Sequence, residues 1–266
     1  MITFPNAKIN IGLNILRKRE DGFHDIESLF YPIGLSDVLE VVKSNEFEFS
    51  STGLDIPGNS DSNLCVKAFR LIQQDYEIGN VKLHLHKVIP MGAGLGGGSA
   101  DGAFCINLLN DLFELNISLE NRLKHATQLG SDCAFFIENK PVIATGRGDV
   151  LTSTTLDLSG KWIALVNPSI HIGTIDAYRE VAIRKPKSDL KKQIAKGLNT
   201  WEENIFNAFE KSVFQKYSKI EEVKNNLYQL GAEYASMTGS GSTVYGIFEE
   251  EPRLNFNSFF TWKAKV

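Results

Sequence analysis

The stretch Pro90-Met91-Gly92-Ala93-Gly94-Leu95-Gly96-Gly97-Gly98-Ser99-Ala100 carries five glycines, and an apolar segment follows it. Because glycine has no Cβ, several backbone N–H groups in such a run can turn towards one anion. The apolar residues beyond it predict a helix at about 100–113, whose first N–H groups have no internal partner and carry partial positive charge. The stretch therefore predicts a phosphate-binding loop, and Ser99 adds a hydroxyl group to it.

Two other nucleotide-binding motifs and a flexible linker are the alternatives for this stretch. Residues 92–97 match GxGxxG, but a dinucleotide-binding fold places that motif after the first strand of the domain. A Walker loop requires a lysine after the glycines, and none stands there. A flexible linker is disfavoured because Pro90 and the apolar helix bound the loop.

Strands with a period of two precede the loop. Residues 8–16 alternate apolar and polar side chains, which predicts a half-buried strand with Lys8 and Asn10 on its polar face. Residues 81–86 alternate in the same way, and residues 37–42 and 46–51 are predicted to form a second pair of strands. Helices are predicted at 119–129, 203–217 and 220–230. Because strands and helices do not alternate strictly, the pattern predicts an α+β fold.

Composition narrows the classes of function. The chain has 266 residues, 42% of them hydrophobic, and a net charge of −4, which gives no electrostatic case for binding nucleic acid or an anionic membrane. The start of the chain does not read as a signal peptide, and no segment has the ~18 apolar residues that span a bilayer. Three cysteines without a CxxC pair predict reduced thiols in the cytoplasm and no cysteine-bound metal.

Three segments together resemble the GHMP kinases, the family of galactokinase, homoserine kinase and mevalonate kinase. They are Pro5-Asn6-Ala7-Lys8-Ile9-Asn10, the glycine-rich stretch, and Met237-Thr238-Gly239-Ser240-Gly241-Ser242. The resemblance implies two domains, an N-terminal ribosomal-S5-like domain at 1–153 and a C-terminal ferredoxin-like domain at 154–266, with the active site in the cleft. It also implies ATP and Mg²⁺, with ATP bound by Pro90, Met91, Gly92, Ala93, Gly94, Leu95, Gly96, Gly97, Gly98, Ser99 and Ala100.

Two more segments, residues 19–24 and 129–136, resemble those family members that phosphorylate a cytidine-diphosphate-linked alcohol in non-mevalonate isoprenoid synthesis. The resemblance implies that Phe23 and Tyr178 stack on the cytosine and that His24 reads its edge. The family usually has tyrosine at position 23 and phenylalanine at position 178, so a hydroxyl contact at position 23 is absent. Further substrate contacts are implied for Asn10, Thr174, Ser240 and Gly241.

The resemblance implies that Lys8 and Asp132 are the catalytic residues. Asp132 would be the general base, and Lys8 would keep it ionised and stabilise charge on the attacking oxygen. The alternatives are that Asp132 caps a helix and that Lys8 is a surface lysine. Arg147 either contacts phosphate or is merely exposed, and the sequence does not decide between these.

The sequence is compatible with three functions. The first is the kinase of the cytidine-linked alcohol, acting as a monomer or weak homodimer on a small molecule. The second is another GHMP kinase, such as homoserine or mevalonate kinase, whose substrates offer no base to stack. The third is a nucleotide-binding module without catalysis.

Overall fold

The computed structural model describes residues 1–181, 183 and 188–266, and it confirms an α+β fold. The strands are β1 (Ile2–Thr3), β2 (Asn6–Lys18), β3 (His24–Ser36), β4 (Val38–Lys43), β5 (Glu48–Gly53), β6 (Val81–Lys87), β7 (Val142–Gly146), β8 (Val150–Ser153), β9 (Trp162–Asn167), β10 (Tyr234–Met237), β11 (Val244–Phe248) and β12 (Phe260–Lys265). The α-helices are α1 (Leu64–Tyr76), α2 (Gly97–Leu112), α3 (Leu119–Leu129), α4 (Cys133–Glu138), α5 (Thr174–Glu180), α6 (Leu190–Ile194), α7 (Trp201–Asn204), α8 (Glu210–Lys216) and α9 (Ser218–Gln229).

The chain separates into two compact units, each assembled from several segments. Unit 1 comprises residues 1–7, 35–91 and 96–140, and unit 2 comprises residues 8–34, 92–95 and 141–266. The middle of the glycine-rich stretch therefore belongs to unit 2 and its two ends to unit 1. The division at residue 153 stays a prediction.

Unit 1 is built on a four-stranded sheet with the order β1-β4-β6-β5. The prediction that residues 37–42 and 46–51 pair with each other is wrong, because β6 lies between them. It pairs antiparallel with β4 and parallel with β5, so that Leu83 opposes both Val41 and Phe49. Both edges of β6 are thus occupied, and its apolar face is buried.

Unit 2 contains two four-stranded sheets, with the orders β2-β3-β7-β8 and β10-β11-β9-β12. Its core includes Leu13 and Ile26 from the first sheet, Val166 and Val244 from the second, and the inner face of α9. The expectation that β2 is only half buried is wrong, because its polar face is buried as well as its apolar one. Polar groups of residues 94 and 238 cover that face, as the site geometry below shows.

Two features of the C-terminal half differ from the sequence-based expectation. The predicted helix at 203–217 is interrupted: α7 ends at Asn204, and α8 begins only at Glu210. Between them Leu13 of β2 donates its N–H to the carbonyl of Phe206 and accepts from the N–H of Ala208. Strand pairing therefore overrides helix propensity in this short segment. No helix among the described residues is long and apolar enough to cross a membrane.

Candidate active site

The glycine-rich stretch ends in a tight turn that starts α2. Gly96 has a φ of 73°, and α2 begins at Gly97 rather than near residue 100. The first helical N–H groups are therefore those of Gly97, Gly98 and Ser99, the residues expected to face phosphate.

Gly97 allows this helix start to lie directly on the end of β6. A Cβ at this position would come within 2.8 Å of the Ile89 Cγ2 atom and 3.0 Å of the Lys87 Nζ atom. Any larger residue would push the first turn of α2 away from the strand. The glycine is thus required by packing, and the approach of an anion stays a prediction.

Gly94 makes an equally close contact in unit 2. Its φ is 78°, and a Cβ would lie 2.0 Å from the carbonyl oxygen of Thr238. The Thr238 hydroxyl donates to the Gly94 carbonyl at 3.0 Å, and the N–H of Lys8 donates to the carbonyl of Leu95 at 2.9 Å. Two glycine segments and β2, far apart in sequence, therefore meet within one unit.

Lys8 is a buried cation, so the surface-lysine alternative is wrong. Its exposed fraction is 3%, and its Nζ atom lies 2.5 Å from Asn10 Oδ1 and 3.4 Å from the Gly94 carbonyl oxygen. The ring of Phe30 lies 4.8 Å from Nζ and adds a cation–π contact. The ammonium group is therefore held against the glycine-rich stretch by groups of both polar and aromatic character.

Asn10 has both ends of its amide engaged. Its Nδ2 donates to the Ser28 hydroxyl at 2.9 Å, and its oxygen accepts from Lys8 and, at 3.3 Å, from Thr238. In this geometry Asn10 orients Lys8. Its direct contact with substrate stays a prediction.

Asp132 lies in unit 1, immediately before α4, and its side chain does not cap that helix. The Ser99 hydroxyl lies close enough to the neighbouring Cys133 thiol to influence its pKa. Burial raises the pKa of Cys133 to about 12 against the opposing effect of Ser99, so the thiol stays protonated at neutral pH. Asp132 thus directly precedes a buried thiol whose pKa is affected by Ser99 of the predicted phosphate loop. No side-chain hydrogen bond to the start of α4 supports the helix-cap alternative.

Phe23, one of the residues predicted to contact the substrate, is exposed, with an exposed fraction of 56%. The Arg147 guanidinium carbon lies 5.2 Å from the centre of its ring, and the Arg147 side chain also donates to Asp149. Arg147 thus supports one face of Phe23 and pairs with a carboxylate. Neither contact tests the alternative that it binds phosphate.

His24 and Tyr178 lie against each other, with ring centroids 4.9 Å apart and planes inclined by 22°. Burial lowers the pKa of His24, and the positive charge of Lys18 lowers it further. At neutral pH the imidazole is therefore uncharged and presents one donor and one acceptor. Thr174 begins α5 one turn before Tyr178, on the same face of the helix.

Asn207 supports the second glycine segment, residues 237–242, through side-chain hydrogen bonds. Its Nδ2 donates to the carbonyls of Met237 at 2.7 Å and Gly239 at 2.8 Å, and its oxygen accepts from the N–H of Phe209. Ser240 and Gly241 follow directly, and the Gly241 N–H donates to the Thr238 carbonyl at 3.0 Å. Sequence reasoning missed Asn207, which it placed inside a continuous helix.

A buried charge cluster behind α2 was also missed. Lys87 Nζ lies 2.5 Å from Asp37 Oδ2 and 2.7 Å from Asp101 Oδ2, and all three side chains are almost fully buried. Burial opposes the charge of Lys87, but the attraction of Asp101 and Asp37 outweighs it and raises the pKa of Lys87. A signal was present: Lys87 occupies the buried register of β6, in line with Val81, Leu83 and Leu85.

Among the residues that the structure describes, no cluster of three His, Cys, Asp or Glu side chains could hold a metal ion. A divalent cation would therefore need phosphate oxygens and water for most of its ligands.

Family models for the GHMP kinases match the chain at residues 63–140 (N-terminal domain) and 188–256 (C-terminal domain). Proteins named 4-diphosphocytidyl-2-C-methyl-D-erythritol kinase are similar along their length. That of Cytophaga hutchinsonii is 50% identical over 95% of this chain and 94% of its own, and that of Bacteroides fragilis is 46% identical over the whole of both.

Solved structures agree with this at the level of the fold. A crystal structure of 4-(cytidine 5'-diphospho)-2C-methyl-D-erythritol kinase matches with a TM-score of 0.78 and 30% identity, over 93% of this chain and 90% of the other. A homoserine kinase from Cytophaga hutchinsonii matches with a TM-score of 0.66 at 16% identity, over 92% of this chain and 85% of the other, which is a likeness of fold alone.

Proposed function

Because this chain belongs to the GHMP kinase family, we propose that it transfers the γ-phosphate of ATP to the 2-hydroxyl of 4-diphosphocytidyl-2-C-methyl-D-erythritol. The reaction belongs to the non-mevalonate route to isoprenoids. Relatives that match 95% or more of the chain and carry that enzyme's name support the substrate. The observation that carries the chemistry is the buried Lys8 ammonium, held 3.4 Å from the Gly94 carbonyl of the glycine-rich stretch.

ATP binding is assigned to residues 90–100. The N–H groups at the start of α2 and the positive end of its dipole suit the triphosphate. The global charge of −4 does not favour an anion, so this local arrangement must supply the attraction. Mg²⁺ is proposed to arrive with ATP and to neutralise phosphate charge.

Transfer requires positioning, charge neutralisation and a proton acceptor. The oxygen of the substrate hydroxyl attacks the γ-phosphorus atom, and Asp132 accepts the proton of that hydroxyl. The bond from that phosphorus to the β,γ-bridging oxygen breaks, and ADP leaves. Lys8 stabilises the negative charge that gathers on the attacking oxygen and on the transferred group.

The cytidine end of the substrate is assigned to unit 2. Phe23, supported on one face by Arg147, offers its other face to the cytosine ring. Tyr178, whose ring also packs on that of His24, is proposed as the second stacking surface. The neutral His24 supplies a donor and an acceptor to the base edge. Since stacking tolerates any base, the edge contacts must provide the preference for cytosine. The location in the cytoplasm, and the state of monomer or weak homodimer, stay predictions.

The test is substrate-dependent release of ADP by the purified protein. ATP is supplied with the cytidine-linked alcohol, with homoserine or with mevalonate in parallel reactions. The proposal expects turnover with the cytidine-linked alcohol only. Turnover on homoserine or mevalonate instead would identify another GHMP kinase, which the full-length relatives do not favour, and ATP binding without any turnover would identify a binding module.

A further inference from the structure

We propose that Lys87 is a positioning residue that holds the two ends of the phosphate loop in register through Asp37 and Asp101. These three residues are here called the Lys87 clamp. The inference rests on the proposed function, because it concerns how residues 90–100 keep their ATP-binding shape. None of the three side chains is placed in contact with ATP or the alcohol.

The entry to the loop is fixed by Asp37. Its Oδ1 atom accepts from the N–H groups of Val88 at 2.6 Å and Ile89 at 2.9 Å, the last two residues before Pro90. Its other oxygen, Oδ2, accepts from the Lys87 ammonium group. One fully buried carboxylate thus accepts hydrogen bonds from three successive residues, the last residue of β6 and the two that follow it.

The exit from the loop is fixed by Asp101. This residue lies near the start of α2, and its Oδ2 atom accepts from the same ammonium group at 2.7 Å. The start of α2 also packs on Lys87, because a Cβ on Gly97 would lie 3.0 Å from Nζ. Charge-assisted hydrogen bonds therefore run without interruption from Ile89, through Asp37 and Lys87, to α2.

This arrangement suits positioning better than it suits stability. Two carboxyl groups and one ammonium are buried together, and Asp101 Oδ1 has no hydrogen-bond partner among the described residues. Buried ion clusters of this kind are often no more stable than apolar side chains of similar volume. What the clamp provides is a fixed spacing between Ile89 and Gly97, on which the direction of the loop N–H groups depends.

The test compares ATP binding with fold stability in two variants. Lys87→Met with Asp37→Asn and Asp101→Asn removes all three charges together, so that no unpaired charge is left buried. Asp101→Asn alone keeps an acceptor for Lys87 but removes the negative charge, which weakens the bond to α2. Lys82→Met is the matched control, since this lysine lies on the same strand but is exposed and pairs with Glu48.

Binding of MgATP is measured by calorimetry without the alcohol, and folding by thermal unfolding. The expected result is a dissociation constant raised by about 10- to 100-fold in the triple variant and by a smaller factor in Asp101→Asn, while both remain folded and the control is unchanged. If the triple variant does not fold, the MgATP dissociation constant of Asp101→Asn alone tests the clamp.

A variant that is folded and binds MgATP as tightly as the wild type would overturn the clamp. Wild-type protein that does not bind MgATP would instead overturn the proposed function. The two failures are therefore separate.

Discussion

At the scale of single residues, the chemistry depends on the carboxylate of Asp132. Asp132→Asn keeps the size of the side chain but removes the proton acceptor, so kcat is expected to fall by about 10²- to 10⁴-fold, the usual contribution of general base catalysis. The ATP dissociation constant should change little, because residues 90–100 are untouched. Steady-state kinetics and calorimetry measure the two quantities. Asp111→Asn is the control, on an exposed position of α2. Near-normal turnover in Asp132→Asn would remove this residue from the base role.

Phe23 provides the second prediction at this scale. Phe23→Ala removes a stacking surface worth about 1–3 kcal/mol, so KM for the cytidine-linked alcohol should rise by roughly 5- to 150-fold. KM for ATP should stay the same. Val150→Ala, an equally exposed apolar residue of unit 2, serves as the control. An unchanged KM for the alcohol would show that the base does not stack on Phe23.

Single residues also show how far sequence reasoning reaches. Lys8 could be singled out from its motif, but its burial depends on the Gly94 carbonyl and Phe30, which no local pattern places beside it. The partners of Lys87 are 50 and 14 residues away along the chain. Only its position in the apolar register of β6 indicated a buried lysine.

At the scale of elements, the second glycine segment depends on the interruption between α7 and α8. Asn207→Ala would leave the carbonyls of Met237 and Gly239 without their side-chain donor, which should lower the free energy of unfolding by about 1–3 kcal/mol. It should also lower kcat, because Ser240 and Gly241 lose their support. Urea unfolding and steady-state kinetics measure the two effects.

Asn204→Ala is the control for this prediction, because Asn204 donates to the carbonyl of Thr200, the residue just before its own helix, and not to the second glycine segment. Wild-type stability and turnover in Asn207→Ala would show that the segment keeps its shape by itself.

The hydrogen bond between Lys87 of β6 and Asp101 of α2 leads to a prediction of how the free energy of unfolding depends on pH. Burial raises the pKa of Asp101 from 3.8 to about 7, with Lys87 opposing the shift. Between these values the folded protein holds a proton on Asp101 that the unfolded chain lacks. The stabilisation is therefore complete below pH 3.8 and is lost as pH rises through 7.

The measurement is the free energy of unfolding of the wild type minus that of Asp101→Asn, determined by urea unfolding between about pH 4 and pH 8. This difference should fall by about 1–4 kcal/mol as pH rises. Subtracting the variant cancels the titration of other groups, including Asp21 and Asp25, whose pKa values arginine partners lower. A difference that is flat with pH, or rises with it, would contradict the buried position of Asp101.

Elements with strong local patterns could be predicted, and those defined by pairing could not. The alternation in β6 and the helix α3 with its terminal Gly130 were placed correctly. The insertion of β6 between β4 and β5 could not be foreseen, because pairing order depends on the whole sheet. The break before α8 was missed because it is caused by Leu13, almost two hundred residues away.

At the scale of the whole molecule, the fold and the family followed from three short segments, but the assembly of the units did not. Each unit is made of several chain segments, and the glycine-rich stretch is divided between them. Sequence motifs mark residues that must contact a ligand. They do not mark the contacts through which residues 8–34 join the C-terminal half in unit 2.

The central claim is phosphoryl transfer to a tertiary alcohol of a cytidine-linked substrate, and phosphorus NMR of the completed reaction tests it most directly. The account predicts ADP and a product that keeps its two diphosphate signals and gains one phosphomonoester signal. Because the 2-carbon bears no hydrogen, that new signal should show no three-bond coupling to a carbinol proton. A coupled phosphomonoester signal, or none at all in the presence of folded protein and MgATP, would contradict the account.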